Sequence, residues 1–172
     1  MRVGTTLYKV VNQPCASGGY EKRRVIWNNS TLRQDYGKNY LATVPKYDGF
    51  CTDPDHLNYR KEIDGFLNLY EPIGHTPQIG DFPNIRSLVL HIFGEQYNLG
   101  LDYLQLLFLQ PLQKLPILLL VSEERNTGKS TFLNFLKAIF GDNVTFNTNE
   151  DFRSQFNSDW AGKLLIVVDE VL

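Results

Sequence analysis

Apolar residues recur at helical spacing in the middle of the chain. Over residues 85–93, isoleucine, leucine, valine, isoleucine and phenylalanine stand at positions i, i+3, i+4, i+7 and i+8, and Gly94 follows. Residues 101–108 repeat the spacing with leucines and a phenylalanine, and Pro111 comes soon after. Glycine and proline are common at helix ends. The pattern therefore predicts two amphipathic helices, each packed on a neighbour by one apolar face.

Two later apolar runs have the length of buried strands. Residues 117–121 and 164–168 contain only leucine, isoleucine and valine. Between them lie a polar loop over residues 122–127, a helical pattern that ends at Gly141, and a polar linker. The order strand, loop, helix, linker, strand is typical of an α/β protein. We therefore predict the α/β fold class.

The first part of the chain carries weaker strand signals. Residues 7–11 and 23–27 are rich in valine, isoleucine and aromatic residues, and the segment between them contains proline and glycine, which predicts two short strands. Residues 66–70 predict another strand within a stretch dense in glycine and proline. We divide the chain into a small mixed α/β N-terminal region over residues 1–65, a connecting segment with two helices over 66–114, and the α/β part over 115–172.

Composition favours a globular protein with one sizeable core. Of 172 residues, 42% are hydrophobic and 21% are charged, which are ordinary values for such proteins. No apolar run approaches the roughly 18 residues that a membrane span requires, and no apolar signal segment follows Met1. We therefore expect a cytoplasmic protein that does not engage a membrane.

The two cysteines do not indicate a disulfide framework or a zinc site. Cys15 and Cys51 lie far apart and outside any Cys-x-x-Cys spacing, so we expect reduced thiols. Cys51 and His56 together would supply two metal ligands, whereas a zinc site needs about four.

Positive charge and aromatic residues concentrate in the first part of the chain. Residues 1–64 carry ten Lys and Arg against seven Asp and Glu, a net charge of +3, and the remaining residues carry a net charge of −5. Interleaved cations and rings can hold phosphates while stacking on bases, so contact with nucleic acid is one interpretation. The alternative is a small domain that packs with its tyrosines.

The polar loop after residue 121 fits a phosphate-binding loop, whose pattern is Gly-x-x-x-x-Gly-Lys-Ser/Thr between a buried strand and a helix. Backbone N–H groups of the loop and of the helix N-terminus surround phosphate oxygens in such a site. Gly128 would let the backbone approach the phosphates, Lys129 would reach the β and γ oxygens, and the Ser130 hydroxyl would ligate Mg²⁺. We predict that nucleotide contacts Glu124, Arg125, Asn126, Thr127, Gly128, Lys129, Ser130 and Thr131.

Two positions of this loop depart from the usual pattern. Asn126 stands where glycine is frequent, but asparagine is among the few residues that tolerate a left-handed backbone. Glu123 replaces the first glycine, and its charge is unfavourable near a polyphosphate unless the side chain turns outward. The alternative for the whole motif is a chance Gly-Lys-Ser at a helix start.

A second acidic element lies forty residues beyond Lys129. The apolar run 164–168 leads directly into Asp169 and Glu170. A buried strand would deliver Asp169 to the Mg²⁺ shell beside Ser130, and Glu170 to a water in line with the γ-phosphate. Two acids at a strand end are common by themselves, so this interpretation depends on the loop.

These segments together resemble superfamily 3 helicases, and more narrowly the primase-helicases of phages and plasmids. The upstream residues 66–72 and the two-helix stretch are similar to the region that precedes the motor in those proteins. The resemblance covers residues 65–172. Within the motor it is carried by residues 118–132, Phe156, Asn157, Trp160, Gly162, Lys163, Val168, Asp169 and Glu170.

The resemblance implies an AAA+-like P-loop ATPase core that assembles into a ring, usually a hexamer. Such rings hydrolyse ATP between subunits and translocate on single-stranded DNA during replication, in the host cytoplasm for a viral protein. The implied cofactors are ATP and Mg²⁺. Lys129 and Glu170 take the catalytic roles, and Ser130 and Asp169 bind the metal.

The family's sensor residue, DNA-contacting loop and arginine finger would all follow residue 172. We therefore expect an incomplete core, and an ATP-dependent helicase activity that this chain alone does not show. Two rival hypotheses stay open. One is a P-loop ATPase of another task, such as DNA packaging or partition, since a nucleotide site does not fix the work performed. The other is a non-catalytic interaction module.

Overall fold

The computed structural model describes residues 1–14, 20–148, 160 and 162–168. These residues form a mixed α/β fold with several small sheets. The chain divides into two compact units. The N-terminal unit contains Met1–Asp53 and Arg60–Leu69, and the C-terminal unit contains Pro54–Tyr59 and Tyr70–Leu172. The three-part division made from the sequence stays a prediction.

The N-terminal unit is built mainly from short strands. The β2 and β3 strands form an antiparallel hairpin, which confirms the predicted strands at 7–11 and 23–27. One sheet has the order β3-β2-β1-β4 and the other the order β5-β7-β6, where β7 confirms the strand predicted near residue 66. The elements are β1 (Arg2–Val3), β2 (Thr6–Pro14), β3 (Tyr20–Ile26), α1 (Asn29–Tyr36), α2 (Tyr40–Thr43), β4 (Lys46–Tyr47), β5 (Gly49–Cys51), β6 (Glu62–Ile63) and β7 (Phe66–Asn68).

The α1 helix begins with a side-chain cap. The Asn28 Oδ1 atom accepts a hydrogen bond from the Ser30 N–H at 2.9 Å, which satisfies one of the donors that a helix start leaves open. The helix ends at Gly37, whose φ is 84°. Leu32 is the residue of α1 that is fully buried, so this helix is anchored by a single apolar contact point.

Within the described residues, the C-terminal unit contains three longer helices and a two-stranded parallel sheet. The predicted helices at 85–93 and 101–108 and the helix before Gly141 are all confirmed. Strand β9 confirms the run at 164–168, and it pairs in parallel with β8, whose residues read as polar linker in the sequence. The elements are α3 (Pro83–Phe93), α4 (Tyr97–Leu109), α5 (Lys129–Phe140), β8 (Val144–Asn147) and β9 (Leu165–Val168). No described helix is both long and apolar enough to cross a bilayer.

The predicted strand over residues 117–121 is wrong. This segment has no regular secondary structure, and within the described parts of the chain no strand pairs with it. Its side chains nevertheless alternate: Leu118 and Leu120 pack against the core, while Ile117 and Val121 are 94% and 80% exposed. Alternation without a hydrogen-bonded neighbour gives a strand-like pattern but not a strand, because a strand exists only as part of a ladder.

One face of α5 forms the centre of the C-terminal core. Phe132, Leu136 and Phe140 are spaced four residues apart, so they share a helix face, and all three are fully buried. They pack with Leu107 of α4, Val144 of β8 and Val167 of β9. The core therefore fixes the helix that follows the polar loop, and with it the position of the loop.

Two polar residues join separate segments to this core. The buried side chain of Asn143 accepts a hydrogen bond from the Glu71 N–H at 2.9 Å, and it donates to the carbonyl oxygens of Glu71 and Phe140 at 2.8 and 3.0 Å. The ring of His56 stacks on Phe108, with centroids 4.9 Å apart, and its Nδ1 lies 2.6 Å from the Tyr70 hydroxyl oxygen. Both contacts satisfy polar groups that the core removes from water.

Burial perturbs both members of the second contact. It lowers the pKa of His56, while a hydrogen bond with the backbone of Leu107 and the charge of Asp55 act in the opposite direction. Burial also raises the pKa of the Tyr70 hydroxyl. The fold therefore favours a neutral imidazole beside a neutral phenol.

Candidate functional site

The loop before α5 has two left-handed residues. Asn126 has a φ of 60° and Gly128 has a φ of 83°, with Gly128 at the N-cap position of the helix. The sequence predicted that Asn126 would tolerate this conformation, and the structure confirms it. Left-handed residues are a feature of the backbone concavities that bind anions.

The N-terminus of α5 opens onto this loop. No side chain in the described part of the chain caps the helix, and its N-cap residue Gly128 has no side chain to do so. The first N–H groups of a helix have no partner within the helix, and together they carry a partial positive charge. Lys129, Ser130 and Thr131 supply the first of these groups, so three of the predicted contact residues border one electropositive end.

The Lys129 ammonium lies over the loop. Its Nζ donates to the Thr127 hydroxyl at 2.9 Å and to the Ser122 hydroxyl, and these two hydroxyl oxygens lie 3.0 Å apart. Ser122 also donates to the Glu124 carbonyl oxygen at 2.8 Å. Within the described residues no carboxylate forms an ion pair with Lys129. Neutral hydroxyls orient the ammonium without cancelling its charge, which leaves it able to pair with an anion.

The acidic and basic positions at the start of the loop are exposed. Glu123, Glu124 and Arg125 are all accessible to solvent. Solvent screens the charge of the exposed Glu123 side chain. Glu123 also borders the cleft beside this loop.

His91 supports the loop from α3 and was missed in the sequence. Its Nε2 donates to the Thr127 carbonyl oxygen at 3.1 Å, which fixes the protonated ring nitrogen because a carbonyl oxygen only accepts. A Cβ atom added to Gly128 would lie 3.4 Å from the His91 ring. The signal for this contact was a histidine in the last turn of an amphipathic helix. Ser122 was also missed as a partner of Lys129.

A cleft of about 1370 Å³ lies beside the loop. Residues 122–131 form one wall, and the irregular segment 116–121 and strand β9 form others. Val168, the last residue of β9, borders the same cleft as Ser130. The described part of β9 therefore ends at the cleft that borders the loop.

The acidic pair itself is not among the described residues. Asp169 and Glu170 lie outside them, and so do Phe156 and Asn157 of the resemblance, so their predicted roles stay predictions. Of the other predicted site residues, the structure brings together the eight of the loop and helix start, Glu124 to Thr131.

Comparison with known proteins places the fold. A family of unknown function, DUF5906, matches residues 120–172, the part that contains the loop, α5 and β9. The chain is similar in fold to the C-terminal region of NrS-1. The apo structure of NrS-1 residues 305–718 has a TM-score of 0.65 at 23% identity, and the match covers 95% of this chain and 43% of that one.

A second structure of the same protein agrees. The A form apo structure of the NrS-1 C-terminal region has a TM-score of 0.60 at 21% identity, and the match covers 87% of this chain and 39% of that one. The present chain thus spans about two-fifths of the length of these relatives. No protein with curated function matches. At these identities the likeness concerns the fold, and the site must be argued from its own residues.

Proposed function

We propose that the C-terminal unit binds Mg²⁺-ATP in the loop 122–131, as the nucleotide site of a superfamily 3 replicative helicase. The observation that carries the proposal is the Lys129 ammonium, which hydroxyls hold over a loop with left-handed residues at Asn126 and Gly128. The donor set is chemically suited to phosphate, since it combines the N–H groups of a helix start with an ammonium that pairs with no carboxylate among the described residues.

The residues at the helix start and at the acidic strand end would have distinct roles. Bound Mg²⁺-ATP would supply a phosphoanhydride bond whose hydrolysis releases free energy. Lys129 would hold the β and γ oxygens, the N–H groups of residues 128–131 would hold the phosphate chain, and the Ser130 hydroxyl would ligate the metal with Asp169. Glu170 would accept a proton from the attacking water.

The wider parts of the proposal rest on the resemblance. Translocation on single-stranded DNA and assembly into a hexameric ring are supported by the superfamily 3 motifs in the sequence. The fold shared with the NrS-1 C-terminal region and the match to DUF5906 are compatible with such a role. The same nucleotide site would also serve a P-loop ATPase of packaging or partition.

Equilibrium binding of a fluorescent ATP analogue tests the proposal. The Lys129→Ala variant should lose binding, because it removes the cation that the loop hydroxyls hold, while Lys61→Ala removes an exposed cation of the other unit and should bind normally. Far-ultraviolet circular dichroism establishes that both variants are folded. Equal analogue affinity in Lys129→Ala and the unaltered chain would refute the site.

A second function, that of an interaction module, is favoured by one observation. Ile117, Leu119 and Val121 expose their side chains beside the cleft, and no described strand pairs with their backbone. Exposed apolar side chains on an unpaired extended segment promote association. Sedimentation should show concentration-dependent association of the chain, weaker in Leu119→Lys than in Leu57→Lys, whose leucine is exposed elsewhere in the same unit. A monomer at all concentrations would exclude this function.

A further inference from the structure

The N-terminal unit carries a row of aromatic rings with a cation at one end. The rings of Tyr36 and Tyr40 are stacked, with centroids 4.5 Å apart and an interplanar angle of 22°. Tyr36 also meets Trp27 edge to face, at 5.6 Å and 89°. The Lys9 ammonium lies 4.6 Å from the centroid of the Trp27 ring. One continuous row therefore runs from Lys9 on β2 through Trp27, directly after β3, to Tyr36 on α1 and Tyr40 on α2.

The register of the β2–β3 hairpin adds a second cation. Lys9 is opposite Val25, and Val11 is opposite Arg23. Residues directly opposite each other, and residues two apart along a strand, lie on the same face of a sheet. Lys9 and Arg23 therefore share one face of the hairpin, and both residues are exposed. We call Lys9, Arg23, Trp27, Tyr36 and Tyr40 the aromatic-cation surface.

The tyrosines of this surface do not pack into a core. Tyr36 is 51% exposed at the end of α1, and Tyr40 is 39% exposed at the start of α2. Rings that stabilise a small domain by packing would be buried. Two stacked rings that are ordered and still accessible instead provide flat apolar faces at low entropic cost.

Charge is concentrated in the same part of the unit. Residues 1–44 contain seven Lys and Arg and two acidic residues, a net charge of +5. Residues 45–64 contain three Lys and Arg and five acidic residues, a net charge of −2. The positive field of the unit therefore belongs to the segment that carries the aromatic rings, which favours a polyanion as the partner.

We propose that the aromatic-cation surface of the N-terminal unit binds single-stranded nucleic acid, with bases stacked on Tyr36 and Tyr40 and backbone phosphates beside Lys9 and Arg23. A single strand fits this combination because its bases are free to stack, whereas a duplex hides their faces and presents only phosphates. Stacking is indifferent to base identity, so the surface would bind with little sequence preference. The inference concerns a different unit from the nucleotide site and does not depend on it.

Fluorescence anisotropy with the full chain tests the proposal. The probes are labelled oligo-dT and oligo-rU of about 20 nucleotides and a duplex of the same length, at salt concentrations between about 50 and 200 mM. The unaltered chain should bind the single strands more tightly than the duplex. The ratio of dT to rU affinity then distinguishes DNA from RNA as the natural strand.

Two substitutions separate stacking from charge. Tyr40→Leu keeps an apolar side chain but removes the ring, and it should weaken single-strand binding about tenfold, while Tyr40→Phe should restore it. Lys9→Gln should reduce the slope of log affinity against log salt by about 0.7, the value for one phosphate contact on a single strand. Lys61→Gln, an exposed lysine of the same unit outside the surface, should leave affinity and slope unchanged.

The outcomes also separate this surface from the nucleotide site. Lys129→Ala should bind oligonucleotides normally, and Tyr40→Leu should bind the ATP analogue normally. The proposal is overturned if the folded chain binds no single strand at low salt, if it prefers the duplex, or if Lys61→Gln reduces the slope as much as Lys9→Gln does. The proposal is also overturned if the chain binds no oligonucleotide but self-associates, and Tyr40→Leu abolishes that self-association. The surface would then bind a protein.

Discussion

Asn143→Asp exchanges one amide group for a carboxylate of the same shape at the contact that joins Glu71 to the end of α5. The unaltered side chain accepts one hydrogen bond and donates two, to the carbonyl oxygens of Glu71 and Phe140. The new carboxylate keeps the accepted bond but cannot donate. The carbonyl oxygens of Glu71 and Phe140 therefore lose the hydrogen bonds that this amide donated, and they face a negative charge instead.

The expected loss follows from those two contacts. The two lost hydrogen bonds cost about 0.5–1.5 kcal/mol each, and placing a negative charge against carbonyl oxygens adds about 1–3 kcal/mol, so the free energy of unfolding should fall by roughly 2–6 kcal/mol at neutral pH. With a urea dependence of about 1–3 kcal/mol per molar, the unfolding midpoint should move down by about 0.7 M or more. The deficit should shrink in acid, because burial raises the pKa of the new carboxyl, and its protonated form again donates one bond.

Urea unfolding followed by circular dichroism measures this loss. Asn134→Asp is the matched control, because it makes the same chemical change at an exposed position of α5. A surface substitution of this kind changes stability by about 0.5 kcal/mol or less. If both variants unfold at the same urea concentration, the hydrogen bonds of Asn143 do not stabilise the C-terminal unit.

Three further predictions concern His56, Glu123 and Glu170. Burial lowers the pKa of His56, so the neutral ring stabilises the fold fully above the unfolded pKa near 6.5, and this stability is lost as pH falls below that value. In His56→Phe the urea unfolding midpoint should therefore depend less on pH between about pH 7.5 and 5. An unchanged pH dependence of the midpoint would exclude His56 as its cause. Glu123→Gln should raise ATP-analogue affinity about two- to fivefold, whereas Glu95→Gln on an exposed turn should not. In a longer chain that hydrolyses ATP, Glu170→Gln should retain binding and lose turnover; steady-state hydrolysis at the unaltered rate would exclude Glu170 as the base.

The sequence predicted the elements that bury a periodic apolar face. Helices α3, α4 and α5 each carry such a face, and the core of the C-terminal unit uses them. Helix α1 was missed because Leu32 is the one fully buried residue among its eight, so its apolar pattern has no period to detect. Its remaining signal was the Asn28 cap, which is short and common.

The strand prediction for residues 117–121 failed because a strand needs a hydrogen-bonded neighbour. Residues 117–121 are more apolar than β8, yet β8 forms a ladder with β9 and residues 117–121 form none in the described chain. Intrinsic β-propensity does not specify a partner, since it reflects packing on neighbouring strands. The apolar run therefore indicated an extended segment but could not indicate whether a neighbour lies beside it.

In the candidate site, too, some features could be predicted from residue type, while others depend on tertiary packing. Tolerance of a left-handed backbone at Asn126 followed from residue type, because few residues adopt it. The contacts of His91 with Thr127 and of Ser122 with Lys129 could not be read from spacing. His91 lies 36 residues before Thr127, and the packing of α3 beside the loop brings them together.

The most direct test of the nucleotide site is a titration of isotopically labelled chain with Mg²⁺-ATP, followed by the amide resonances in nuclear magnetic resonance spectra. Phosphates held by the loop would receive hydrogen bonds from backbone N–H groups, so the largest shifts should occur at Gly128, Lys129, Ser130 and Thr131, and they should saturate. Lys129→Ala should abolish them. Shifts that centre on another surface, or resonances of the loop that do not move at saturating nucleotide, would contradict the assignment of this loop as an ATP site.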